Sequence, residues 1–219
     1  MYSALLVIIY LAFISLGLPD TLLGSAWPQM HIELNASLSS AGIITMIISM
    51  GTVISSLFSD RLNIKLGTGK VTAISVLMTA VALLGFSLSH SFIILCVLAV
   101  PYGLGAGAVD AALNNYVALH YSSKHMSWLH CFWGVGASIG PYIIGTCMAY
   151  GLGWRGGYSV ISVLQFTLTA ALFITLPLWK KVENSENNVI NGNNERTQEE
   201  PRERKAKSLS EVLHIKGVI

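Results

Sequence analysis

The chain has 219 residues, of which 53% are hydrophobic and only 11% charged, against roughly a quarter charged in a soluble domain. Nine of the twenty-four charged residues precede Lys180 and fifteen lie from Lys180 onward, so membrane material is followed by an aqueous segment. That distribution excludes a soluble enzyme, and basic residues confined to short loops and a mixed-sign tail exclude a nucleic-acid partner.

Crossing the hydrocarbon core takes about 20 mainly apolar residues as a helix. Six stretches qualify, at about 2–26, 38–59, 70–89, 92–118, 127–150 and 157–179. The expected fold is therefore an all-α integral membrane protein, a six-helix bundle over 1–181. The first stretch carries a small-x-small triplet, Gly24-Ser25-Ala26, but no Lys or Arg precedes Arg61. Without a positive n-region it reads as a span and not as a secretory signal. It holds a carboxylate, Asp20, beside Pro19, which predicts a local kink. Asn35-Ala36-Ser37 in the following loop is a glycosylation sequon, meaningful only in a secretory pathway.

The loop after the second span reads SDRLNIKLGTGK, with Asp60, Arg61 and Lys65 near its start. Ser89-His90-Ser91 is the whole break between the third and fourth spans, so these form a tight hairpin. The fourth contains PYGLGAGAVDAALNNYVALH, from Pro101 to His120. It carries Asp110, then Asn114 and Asn115. Asp110 and Asn114 are four apart and share a helix face. An ionisable group inside a span is costly and is a functional candidate by default; the alternative is a structural carboxylate bonded to a neighbouring helix. Asp20 and Asp110 are the only acidic residues placed within the predicted spans. Gly17, Asp20 and Leu23 also line up with Gly107, Asp110 and Leu113, ninety residues on, which marks an internal repeat.

The fifth span opens SWLHCFWGVGASIGPYIIG. His130 suits either solute binding and proton relay or an interfacial position beside Trp128. The Trp residues serve as interfacial anchors, with Trp133 also offering a stacking surface. Gly134, Gly136, Gly140 and Gly145 favour close helix contact. Gln165 in the sixth span reads as inter-helix glue. From Val182 to Lys207 the composition cannot form a core, and a disordered linker is expected. Ser208-Leu209-Ser210-Glu211 matches a capping box and opens a further helix over 208–219, cut short at Ile219. Cys96, Cys131 and Cys147 lack metal-ligand spacing and read as small buried hydrophobes. No metal, cofactor or nucleophile–base constellation is expected.

With the N-terminus inside, twelve basic residues face the cytoplasm and only Arg155 faces out. The positive-inside rule therefore places both N-terminus and tail in the cytoplasm. The first and fourth spans then run in opposite directions and the repeat is inverted, three helices plus three. That architecture belongs to secondary transporters, with the solute site near the midplane at the repeat interface. Burial disfavours the charged form of a carboxylate, which is the physical requirement for proton coupling.

Together these features resemble the major facilitator superfamily, with residues 1–219 as an N-terminal half of a twelve-helix fold. GLPDTLLGSAWP, GLGAGAVDAALNNYV and LHCFWGVGASIGP are most similar to the fucose:proton symporter group and related bacterial sugar-transporter-like proteins. Acidic residues in helices 1 and 4 of that group are implicated in proton-coupled sugar transport, so the resemblance implies this role for Asp20 and Asp110, the latter replacing a Glu of the fucose carriers. Asp60, Arg61 and Lys65 resemble the gate-loop signature Gly-x-Leu-x-Asp-Arg-x-Gly-Arg/Lys-Arg/Lys, with Ser56, Phe58, Asn63 and Ile64 departing from it. Gly136, Gly140 and Pro141 resemble in part the glycine-proline motif of antiporters, which leaves the direction of coupling open. The expected partners are the lipid bilayer of the plasma membrane, a small polar solute with protons, and a C-terminal six-helix half. Asn114, Asn115, His130 and Trp133 join the two carboxylates as candidate site residues. The rival readings are a drug or metabolite exporter of the same fold and an inactive truncated membrane protein.

Overall fold

Lipid offers no hydrogen-bond partner to a peptide group, so each apolar run must satisfy its backbone internally as helix. The computed structural model describes residues 2–197, with side chains from 5 to 179, and all regular structure among them is helical. Helices α1 (Tyr2–Asp20) and α2 (Leu22–Glu33) make up the first span. A 3-10 turn, Leu38–Ser40, leads into α3 (Ala41–Leu66). Helices α4 (Thr68–Leu88), α5 (Phe92–His120), α6 (Ser123–Ala149) and α7 (Gly153–Thr197) complete the set. Six helices are long and apolar enough to cross a membrane, and the α4–α5 hairpin turns through Ser89-His90-Ser91 as expected.

Three boundaries differ from the sequence reading by seven residues or more. The first span continues to Glu33, because Trp27 and Met30 are buried in the core and hold the chain helical past Pro28. The second continues to Leu66, so Asp60, Arg61 and Lys65 are helical and do not lie in a loop. Gly67, with φ +80°, is the whole connection to α4, and glycine takes that conformation without steric cost. The third difference is α7, which runs through Thr197 into the segment read as a linker. Extending an existing helix costs far less than starting one, and Lys180, Lys181, Glu183 and Glu186 have good helix propensity. Residues 198–207 of that segment and the helix start at 208–219 lie outside the described residues.

Side-by-side packing is symmetric in the sense that the expected repeat requires. Helix α1 packs on α6, and α3 packs on α5; exchanging spans 1–3 with spans 4–6 turns one pair into the other. Glycines permit both contacts. A Cβ at Gly17 would strike the Trp133 carbonyl, and one at Gly136 or Gly140 would strike the carbonyl of Ile14 or Leu18. On the other pair, Gly103 and Gly107 lie against the carbonyls of Ile48 and Thr52. Gly134 and Gly145 depart from expectation: a Cβ on either meets nothing within 4 Å, because they sit on the unpacked side of α6. Cys131 shares that exposure, whereas Cys147 is buried. Trp27, Trp154 and Trp179 are core residues and not anchors, while Trp128 and Trp133 are exposed.

Helices α4 and α7 meet along a polar seam. The Ser87 and Ser159 hydroxyls pair, Ser162 donates to the Ala80 carbonyl at 2.9 Å, and Thr79 donates to Gln165 Oε1 at 2.6 Å. At the bundle end beyond Ser89, Arg155 pairs with Glu33 and donates to the Ser89 carbonyl at 3.1 Å. Trp154 Nε1 donates to the same Glu33 carboxylate at 3.0 Å, and the guanidinium lies 4.3 Å from the Trp154 ring centre. One cation thus ties together the ends of the first, third and sixth spans.

Candidate functional site

Proline has no N–H and leaves the carbonyl four residues back without its helical partner. In lipid that carbonyl needs another donor. Pro19 frees the Ser15 carbonyl, and Gln165 Nε2 on α7 donates to it at 2.9 Å. Pro141 frees the Ala137 carbonyl, and Thr21 Oγ1 donates to that at 2.9 Å. Thr21 is the one residue between α1 and α2. The kink expected beside Pro19 is a one-residue interruption at Thr21, pinned from two sides, and it leaves Asp20 as the last residue of α1.

Asp20 is exposed on the open side of the bundle. Tyr102 Oη on α5 donates to its Oδ1 at 3.2 Å, and Trp133 Nε1 on α6 donates to its Oδ2 at 2.9 Å. The carboxylate is thus oriented from the fourth and fifth spans while keeping acceptor capacity, since each oxygen has two lone-pair sites. Asp110 is half-buried, and Asn114 Nδ2 donates both to its Oδ1 and to its backbone carbonyl, each at 3.0 Å. The shared face read from their spacing is present. His130 is exposed, edge-on to Phe13 with ring centres 6.2 Å apart. The fold thus joins Trp133 to Asp20 and Asn114 to Asp110.

Asn115 is exposed and takes no part in these bonds; five residues from Asp110 it points about 140° away around the helix. Asp60, Arg61 and Lys65 are exposed at the far end of α3, and no ion pair joins them among the described residues.

Tyr102, Thr21 and Gln165 position the site, and only Gln165 was singled out from the sequence. A tyrosine or threonine in an apolar span carries no mark of its partner. Pro19 and Pro141, however, each signalled a carbonyl in need of a donor. Beside Asp20 lies a cavity of about 140 Å³ walled in part by Leu83, Phe86, Tyr102 and Tyr158, the other unforeseen feature.

Comparison with known proteins adds a family. The model of the Major Facilitator Superfamily matches residues 9–216. An uncharacterized transporter, y4wD, of Sinorhizobium fredii (strain NBRC 101917 / NGR234) is 25% identical over 116 residues, covering 52% of this chain and 31% of the relative. Synaptic vesicle glycoprotein 2B of Rattus norvegicus is 24% identical over 178 residues, 78% of this chain and 26% of the relative. The human protein of that name is 25% identical over 175 residues, 77% and 26%. The matches thus span about a third or less of these relatives' length.

Proposed function

The chain belongs to the Major Facilitator Superfamily and is a multi-pass membrane protein; on that premise we propose that it is the N-terminal half of a secondary active transporter. It takes up a sugar or similar small polar solute with protons, by alternating access against a C-terminal six-helix half. The observation that carries this reading is Asp20: a carboxylate at a broken helix, oriented by Tyr102 and Trp133 from two other spans and open on one side. Discontinuous helices at the repeat interface are where secondary transporters bind solute and ion. Asp110, with Asn114 bonded to it, is the second proton or solute group. Asp60, Arg61 and Lys65, exposed at the end of α3, form a charge relay that latches the cytoplasmic gate. The membrane is the plasma membrane, with N-terminus and tail in the cytoplasm.

The test is uptake of a panel of radiolabelled sugars into vesicles holding the whole transporter, with and without an inward proton gradient. Gradient-driven uptake that disappears in Asp20→Asn and in Asp110→Asn is expected. Uptake of a sugar that ignores the gradient in the unaltered protein would remove proton coupling from the reading.

A second reading, an exporter of the same fold, is favoured by the apolar cavity beside Asp20. Proton release on adding a hydrophobic drug, with no response to sugars, would select it.

A further inference from the structure

The side-chain donors around the two carboxylates are fully spent. Tyr102 gives its one hydroxyl hydrogen to Asp20 Oδ1, and Trp133 gives its one indole hydrogen to Asp20 Oδ2. Asn114 has two amide hydrogens, and both go to Asp110, at Oδ1 and at the backbone carbonyl. What remains is acceptor capacity: unused lone pairs on both carboxylates and the Asn114 Oδ1. Thr45 extends the pattern into the cavity beside Asp20. It lines that cavity and is exposed, and its hydroxyl donates to the Ala41 carbonyl at 3.0 Å. Its Oγ1 therefore offers a solute lone pairs only. Leu83, Phe86, Tyr102 and Tyr158 behind it are 1–4% exposed and present almost no surface, so Asp20 and Thr45 decide what binds.

The charge is as one-sided as the hydrogen bonding. No Lys or Arg occurs from residue 1 to 60, from 71 to 123 or from 125 to 154, so the helices around Asp20 bring it no fixed cation. His130 is exposed against Phe13, and among the described residues no hydrogen bond or ion pair joins it to either carboxylate. A sugar hydroxyl accepts as well as donates, and its lone pairs would meet no side-chain donor here. An ammonium group has three donors, no acceptor and the missing charge.

We propose that the solute bound at Asp20 is a small polar organic cation: a protonated primary amine, such as that of an amino sugar, donates to the Asp20 carboxylate and to Thr45 Oγ1. This rests on the transporter reading of the same site and narrows its small polar solute to an amine-bearing one.

The experiment measures equilibrium binding of two matched pairs to the purified transporter, glucosamine against glucose and ethanolamine against ethylene glycol. Within each pair an ammonium replaces a hydroxyl. The amine is expected to bind roughly tenfold tighter or more, since a hydrogen bond to a charged group outweighs a neutral one. Asp20→Asn abolishes that advantage, and Thr45→Val, at an exposed position of α3, reduces it several-fold. Glu33→Gln removes a carboxylate at the bundle end and keeps the advantage, which separates Asp20 from general attraction of a cation to acidic groups. Equal binding within both pairs overturns the proposal, and so does an advantage unchanged in Asp20→Asn or in Thr45→Val. Thr45→Val decides alone if Asp20→Asn does not fold. Vesicle uptake separates the amine from the transporter reading. Gradient-driven uptake of glucose, undiminished by excess glucosamine, would remove the amine and sustain the transporter. Amine-selective binding lost in Asp20→Asn, with no uptake of any tested solute, would keep the amine site and remove transport.

Discussion

Gln165 shows how one side chain holds this site. Its amide donates to the Ser15 carbonyl that Pro19 orphans, and its Oε1 accepts from Thr79. Gln165→Leu leaves a buried carbonyl without a donor, so it should cost about 1–3 kcal/mol and lower the midpoint of thermal unfolding in detergent. Thr169→Val is the comparison. The Thr169 hydroxyl bonds only to the Gln165 carbonyl within its own helix, so its loss should shift the midpoint far less. If the two variants unfold alike, the α1 break is not held by Gln165. At the bundle end, Arg155→Met removes the pair with Glu33, the bond to the Ser89 carbonyl and the contact over Trp154. A partly exposed ion pair contributes roughly 1 kcal/mol or less, so high salt in the unaltered protein should reproduce only part of the loss of thermal stability seen in the variant. Asp20 and Asp110 were legible as residues because carboxylates are rare in spans. Tyr102, which donates to Asp20, and Thr21, which donates to the Ala137 carbonyl, were not legible, because nothing in a tyrosine or threonine says which helix it will face.

Helix pairing has a different determinant. The spans are apolar nearly all round, so hydrophobicity does not select which faces meet; backbone approach at small residues does. Gly136→Ala places a methyl against the Ile14 carbonyl, an overpacking that should cost about 1–3 kcal/mol. Gly134→Ala, two residues away with open space around it, should unfold at or slightly above the unaltered midpoint. Equal losses in both would mean that α1 and α6 are not in close contact. The cysteines give a second measurement on α6. A maleimide added to the protein in detergent should label Cys131, which is exposed, and leave the buried Cys147 unmodified until the protein is unfolded. From the sequence, four glycines of this helix were equivalent. The structure divides them into Gly136 and Gly140 on the α1 contact and Gly134 and Gly145 on the open side.

At the scale of the molecule, six spans follow one another, and in the proposed topology the charge asymmetry orients them. Single cysteines introduced at Leu152 and at Ser122, in a chain lacking Cys96, Cys131 and Cys147, test that orientation. An impermeant thiol reagent should label Leu152→Cys on intact cells and Ser122→Cys only after permeabilisation. The reverse pattern would invert the whole topology and with it the inverted-repeat orientation. Helices α3 and α6 are the least buried of the six spans, and they are the partners of α5 and α1, which carry the two carboxylates. The bundle therefore presents its poorly covered helices on the side where Asp20 is accessible.

Span number and the presence of two intramembrane carboxylates were determined by the sequence alone. The reason is that the energy of putting a backbone and its side chains into lipid is local and additive along the chain. The break at Thr21, the hold of Tyr102 and Trp133 on Asp20, and the aromatic cavity beside it were decided only by tertiary structure. Each depends on residues from different helices meeting, and an all-round apolar span carries no periodic signal that says which face it will turn to which neighbour.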